Sequence, residues 1–168
     1  MINLSHIIYL ILLLLPAGIA NMTPVFLQKL PYARPIDNRK TYKGRRITGD
    51  NKTWRGLLGG IILGTLAASI EGMFFAFPAT PLLWGLTIST GALIGDIIES
   101  MIKRRLGKQP GTAWHPFDEI DWLLGALIFG SFLYAFDVMS WLLVITIGAI
   151  LHTLINYLRK RLLYYFSA

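Results

Sequence analysis

LIGDIIESMIKRRLGKQPGTAWHPFDEIDWL, residues 93–123, is the stretch on which the fold turns. It begins inside an apolar run, where Asp96 stands about two helical turns, roughly 10 Å, before the basic cluster Lys103, Arg104 and Arg105. A short polar linker with Gly and Pro follows, and the stretch closes on Asp118, Glu119 and Asp121 at the start of a second apolar run. Helices joined by so short a link are expected to be antiparallel neighbours. A carboxylate such as Asp96 inside an apolar helix costs ~2.5–3.5 kcal/mol on insertion scales unless it faces a polar cavity or a partner. The bland alternative is a carboxylate tied to a basic neighbour.

Working outward, the rest of the chain repeats the same alternation of apolar runs and polar links. Of 168 residues, 54% are hydrophobic, against about 45–50% in soluble domains. Mean hydropathy is +0.55. Five runs approach the ~20 residues needed to cross a bilayer: Ile2–Val25, Gly56–Phe77, Thr80–Ile102, Ile120–Phe136 and Trp141–Leu158. The first lacks the basic residues that precede the core of a secretory signal and is expected to be retained. The absence of cysteine excludes disulfides and thiolate metal sites.

The net charge of +7 would suggest nucleic acid in a soluble protein, but here its placement argues for a membrane and against nucleic acid. Nine Lys and Arg fall between runs one and two, four between runs three and four, and three after run five. The alternate connections carry none. Basic loops stay cytoplasmic. The expected fold is therefore all-α and polytopic, with five transmembrane helices, the N-terminus outside and the C-terminus cytoplasmic. Residues 1–168 form one integral membrane domain, with cytoplasmic loops over 26–55 (the basic loop) and 103–118. Gly56, Gly60 and Gly64, and then Gly91 and Gly95, recur at four-residue intervals, as close helix packing requires.

Asp96, Ser100 and Lys103 lie at i, i+4 and i+7 and share one helical face, with Glu99 beside them and Arg104 continuing the polar end. Asp118 and Asp121 are three apart and can face the same way, although an acidic helix start also complements the helix dipole. Hard oxygen ligands beside Lys and Arg suggest Mg²⁺ shared with substrate phosphates, held by Asp96, Asp118 and Asp121. The basic loop, PYARPIDNRKTYKGRRITGDNKTWR at 31–55, contains glycines that let backbone amides approach a phosphate, and Lys52, Thr53 and Arg55 can add contacts. Adhesion to anionic headgroups is the plain alternative for that loop. His152 and Asn156 are one turn apart and suit an interhelical hydrogen bond. His6 lacks a ligand set, His115 reads as a linker residue, and Glu71 and Asp137 read as interfacial groups.

Residues 93–123 resemble the signature of the CDP-diacylglycerol synthase family in Gly95-Asp96, Glu99-Ser100, Lys103-Arg104 and Asp118…Asp121. The family's Pro-Gly-His-Gly-Gly segment is absent, Trp114-His115-Pro116 stands in a shorter linker, and Glu119 replaces an Arg. These departures, the GRRITGDNKTWRG loop and the five spans make the chain similar to the archaeal branch of that family. The resemblance implies transfer of CMP from CTP to an isoprenoid ether lipid phosphate, 2,3-di-O-geranylgeranylglyceryl phosphate, with Mg²⁺ as cofactor and pyrophosphate released. On this reading Asp96, Asp118, Asp121 and Lys103 are catalytic. Ser100 and Arg104 hold phosphate, and Lys43, Arg45, Arg46, Lys52, Thr53 and Arg55 close over the nucleotide. A small transporter with interfacial carboxylates is the competing reading, but its charges would be spread through the membrane or set in inverted repeats. A CDP-alcohol phosphotransferase would carry a D-G-x-x-A-R run, which this sequence lacks.

Overall fold

A computed structural model describes residues 4–27, 30, 31 and 33–166, and at 155, 156 and 159–166 the backbone alone. Lys29 and the side chains of Asn156, Arg159, Lys160 and Arg161, invoked above, lie outside the described residues. The elements run α1 Leu4–Leu27, β1 Thr41–Tyr42, β2 Arg45–Arg46, α2 Trp54–Glu71, α3 Pro81–Arg105, α4 Phe117–Gly130 and α5 Val138–Phe166. Among the described residues, two helices, α1 and α3, are long and apolar enough to cross a bilayer, and α5 adds a shorter apolar stretch, Val138–Leu154.

The burial pattern is that of a membrane protein. Gly56, Gly60, Gly64 and Ala68 form the buried face of α2. Leu58, Ile62, Leu66 and Ile70 point outward and are each more than half exposed. An added Cβ at Gly60 would lie 2.7 Å from the Ala20 carbonyl oxygen and 2.8 Å from Leu93 Cδ1, so the small residues let α2 wedge between α1 and α3. The core beneath is apolar: Leu13, Trp84, Ile88, Leu123 and Leu127 are almost fully buried.

Helices α3 and α4 make the most extensive contact in the molecule. An added Cβ at Gly125 would overlap the Gly91 carbonyl, and one at Gly95 would overlap the Asp121 carbonyl. The two backbones therefore touch directly, as the short link between them led us to expect.

Two helices end earlier than hydropathy suggests. The run expected to reach Phe77 stops being helical at Glu71, and the run expected to reach Phe136 stops at Gly130. The aromatic residues beyond these points fold back over the end of the bundle. Tyr9, Phe75, Phe77, Trp84, Phe136 and Tyr134 form a continuous chain of ring contacts with centroids 4.8–6.4 Å apart. Hydropathy reads such residues as more helix, whereas they serve as a lid of stacked and edge-on rings.

At the opposite end lies the basic loop, which contains a short hairpin that the sequence reading did not foresee. Thr41 pairs with Arg46 and Tyr42 with Arg45. Lys43 and Gly44 turn it with positive φ (50° and 74°), the pairing that two-residue hairpin turns favour. Asp37 is the hub of the loop. Its Oδ1 accepts from Arg39 N (2.9 Å) and Arg46 Nη2 (2.6 Å), and its Oδ2 from Thr48 N (3.0 Å) and Gly49 N (3.1 Å). Burial alone would raise the Asp37 carboxyl, but Arg46 and these amides hold it far below the ordinary carboxylate range.

Two expectations follow. Gly125→Ala should destabilise the bundle by about 1–3 kcal/mol through overpacking and lower the thermal midpoint in detergent by several degrees. Gly18→Ala, where a Cβ meets only ordinary contact at 3.8 Å, should leave it unchanged or raised. Asp37 has a depressed folded pKa, so its contribution is complete above about pH 3.9, the unfolded value, and is lost as pH falls through the lower folded value. Hydrogen-exchange protection of the Thr48 and Gly49 amides, corrected for intrinsic rates, should be flat from pH 8 to about pH 4. Asp37→Ala should remove it throughout that range.

Candidate active site

The backbone contact of α3 with α4 sets the site. Asp96 follows Gly95 on α3, and Gly95 lies against the carbonyl of Asp121 on α4. On α3 the turns after Asp96 bring Glu99, Ser100 and Lys103 onto the same face. These residues line a polar cavity of about 390 Å³ at the loop end of the bundle. Asp118, Glu119 and Asp121 from α4 close its second wall, and Thr48, Gly49, Asn51 and Lys52 of the basic loop cover it. Helix α1 contributes Asn21 to the lining and α5 contributes His152.

The charges inside are paired across elements. Lys52 Nζ lies 2.5 Å from Asp96 Oδ1. Lys103 Nζ lies 2.6 Å from Asp118 Oδ1 and 3.1 Å from Glu99 Oε1. Asp118 Oδ2 accepts from Trp114 N at 2.9 Å, which fixes the linker on α4. Asp121 Oδ1 accepts from Trp122 N at 2.7 Å, and its carboxylate interacts electrostatically with Asp96 and Lys52. Ser100 Oγ donates to the Thr48 carbonyl at 2.9 Å, tying the loop to α3. His115 Nδ1 is paired with Glu119 Oε1.

Asp96, Asp118, Asp121, Lys103, Ser100, Arg104 and Lys52, all singled out from the sequence, are thus brought to one cavity. Other residues of that set are not among its lining. Arg46 is taken up by Asp37 and Asp50, at 2.6 and 2.7 Å. These two carboxylates hold the guanidinium of Arg46 above its ordinary pKa. Arg55 donates to the carbonyls of Leu27, Leu30 and Pro31 and so caps the end of α1. Thr53 is the N-cap of α2, its Oγ1 accepting from Gly56 N at 3.1 Å. Arg45 donates to the Arg105 carbonyl at 2.8 Å, and Lys43 lies over the Tyr42 ring. These five residues build the loop that roofs the cavity.

Asn21, Asn51, Glu99 and Glu119 belong to the lining but were not given roles from sequence. Asn21 had a legible signal, an amide near the end of a mostly apolar helix. Glu119 had none, because a carboxylate in a first helical turn is ordinary.

Among the described residues, no three carboxylates or histidines are gathered closely enough to hold a metal ion. The expected triad shares a cavity, but two of its members are held by lysines. The donor set nonetheless suits a hard divalent cation: five carboxylates line the cavity, and Glu119 Oε2 is buried without a hydrogen-bond partner among the described residues. Arg104 Nε and Nη1 are likewise buried and unsatisfied, which suits a bound anion beside that cation.

Comparison with known proteins agrees with this geometry. A family model described as CarS-like, CDP-archaeol synthase, matches residues 1–164. A CDP-archaeol synthase of Pyrococcus furiosus is 38% identical over 143 residues, covering 83% of this chain and 84% of its own. One from Thermococcus kodakarensis is 32% identical over 164 residues, covering 95% and 94%. A solved structure, described as an intramembrane enzyme for archaeal membrane lipids biosynthesis, superposes with a TM-score of 0.78 at 32% identity, covering 92% of this chain and 95% of that one. A bundle with a polar cavity at the end of two touching helices, matched along nearly its whole length, places the chain in the CDP-archaeol synthase family of nucleotidyltransferases.

Proposed function

We propose that the chain transfers CMP from CTP to 2,3-di-O-geranylgeranylglyceryl phosphate, releasing pyrophosphate, in a cavity that opens to the cytoplasm. An oxygen of the lipid phosphate attacks the α-phosphorus of CTP. The new P–O bond forms as the bond to the β-phosphate oxygen breaks, and pyrophosphate carries the electron pair away. The attacking phosphate is already ionised near neutral pH, so positioning and charge neutralisation carry the catalysis rather than a strong base.

The observation that supports this most is the set of crossed ion pairs, Lys52 with Asp96 and Lys103 with Asp118, in one cavity. Each pair holds both halves of a phosphate-and-metal site in readiness. Asp96, Asp118 and Asp121 would hold Mg²⁺, which neutralises triphosphate charge when bound. Lys52, Lys103 and Arg104 would turn to the phosphates. Ser100 keeps the roof loop seated through Thr48.

The lipid has a route of its own. An apolar groove of about 530 Å³ runs between α1 and α5, over Trp122 and Leu123. It shares Asn21, Met22 and His152 with the polar cavity. A lipid phosphate at that junction would have its head among the cations and a tail in the groove. We further propose that all five helices span the bilayer, with the cavity end cytoplasmic and the N-terminus outside. This orientation is supported by the thirteen basic residues of the two links at the cavity end.

Labelled-CTP turnover with ether- and ester-linked lipid phosphates tests the activity. Chelation of divalent ions should abolish product formation, and added Mg²⁺ should restore it. Asp96→Asn should lower kcat at least a hundredfold; a rate near wild type would remove Asp96 from the mechanism. Ile147→Trp, which fills the groove more than a helical turn from His152 at the junction, should raise KM for the lipid at least fivefold and leave KM for CTP within twofold.

A further inference from the structure

Just beyond the end of the groove away from the cavity lies a tie that the chemistry above does not use. Ser140, in the first turn of α5, is 2% exposed. Its hydroxyl donates to Asp137 Oδ2 at 2.8 Å, and its backbone N–H donates to Asp137 Oδ1 at 2.8 Å. These two bonds, the amide first and the hydroxyl second, hold the Asp137 carboxyl below its ordinary range, so it remains an acceptor. The single hydroxyl proton of Ser140 is therefore committed. His6 Nε2, 3.1 Å from Ser140 Oγ, must be the N–H donor to it. The chain His6→Ser140→Asp137 joins the first turn of α1 to the first turn of α5, across 134 residues of sequence.

Those are the two helices that form the groove. They run parallel, meeting at His6 and Ser140 at one end and lining common space at Asn21 and His152 at the other. The lining stops at Ile7, one residue beyond His6, and at Leu143, one turn beyond Ser140. From Met22, at the junction with the polar cavity, to Ile7 the groove follows α1 for about 22 Å at 1.5 Å per residue. A geranylgeranyl tail has four isoprene units and a sixteen-carbon backbone. With C–C bonds of about 1.5 Å in a zigzag, it extends to ~20 Å. At roughly 30 Å³ per heavy atom in a condensed phase, its twenty carbons take up about 600 Å³, comparable with the groove for one tail and too much for two.

We propose that the groove gauges the length of one isoprenoid tail, with the His6–Ser140–Asp137 tie as its far stop, so that chains of more than four units are rejected. The tie is a positioning device: it fixes the interval between α1 and α5 and touches neither phosphate. This rests on the cytidylyltransferase reading above.

The test is a comparison of kcat/KM at saturating CTP for lipid phosphates with three-, four- and five-unit tails. For wild type, the five-unit tail should be at least tenfold worse than the four-unit tail. Ser140→Ala should raise the five-to-four ratio at least fivefold, through KM for the lipid, with KM for CTP within twofold. Ile7→Trp keeps the tie and shortens the groove, and should make the three-unit tail the better substrate. The gauge is overturned if wild type treats all three tails alike, or if both variants scale every tail equally. Absence of turnover with any lipid phosphate would instead overturn the cytidylyltransferase reading, and the gauge with it.

Discussion

Where α3 passes α4, backbone meets backbone, and the arrangement of the polar cavity descends from that contact. Gly91, Gly95 and Gly125 remove the side chains that would hold the helices apart. Ordinary helix pairs pack at 8–10 Å between axes, set by the side chains between them. Here the carbonyl of Asp121 lies against Gly95, so the residue after that glycine, Asp96, must stand close to Asp121. A membrane protein has reason to build its site this way. Between helices in lipid no hydrophobic force favours association, and close packing of small residues supplies it. The same glycines that hold the helices together therefore bring carboxylates together.

Bringing carboxylates together is costly unless cations stand among them. The structure answers with Lys52 from the loop and Lys103 from α3, each on a different acid. The loop must be well ordered for Lys52 to do this, and the buried carboxylate of Asp37 supplies that order by binding three backbone amides and Arg46. The chain of dependence runs from Asp37 to Thr48, from the Thr48 carbonyl to Ser100, and so to the face of α3 that carries Asp96. Charges paired in this way remain available, since a ligand that brings both a cation and phosphates offers each half of a pair a new partner.

Much of this was legible in the sequence, and the reasons for the gaps are physical. The acidic residue inside an apolar run, its i+4 and i+7 neighbours and the acidic start of α4 pointed to one cavity. Helical period and a short linker are local rules that packing did not override. The ends of α2 and α4 were misread because Phe75, Phe77, Tyr134 and Phe136 are apolar enough to pass as helix, while their role as a lid depends on contacts distant in sequence. Arg46, Thr53 and Arg55 have structural partners that the sequence did not reveal, for a related reason. A basic loop above a phosphate site reads as ligand-binding throughout, yet part of its charge serves internal carboxylates and helix ends. Asp37 gave no distinguishing signal, because an acid in a basic loop reveals its five donors only once the loop is folded.

The central claim is that carboxylates from two touching helices act as one cation site when nucleotide is present. A double-mutant cycle on Mn²⁺ binding, read by electron paramagnetic resonance with a non-hydrolysable CTP analogue bound, tests it most directly. If Asp96 and Asp121 grip the same ion, Asp96→Asn and Asp121→Asn each weaken Mn²⁺ binding at least tenfold, and the double variant is little worse than the poorer single one. Losses that simply multiply, or a single variant that binds Mn²⁺ as wild type does, would contradict the account.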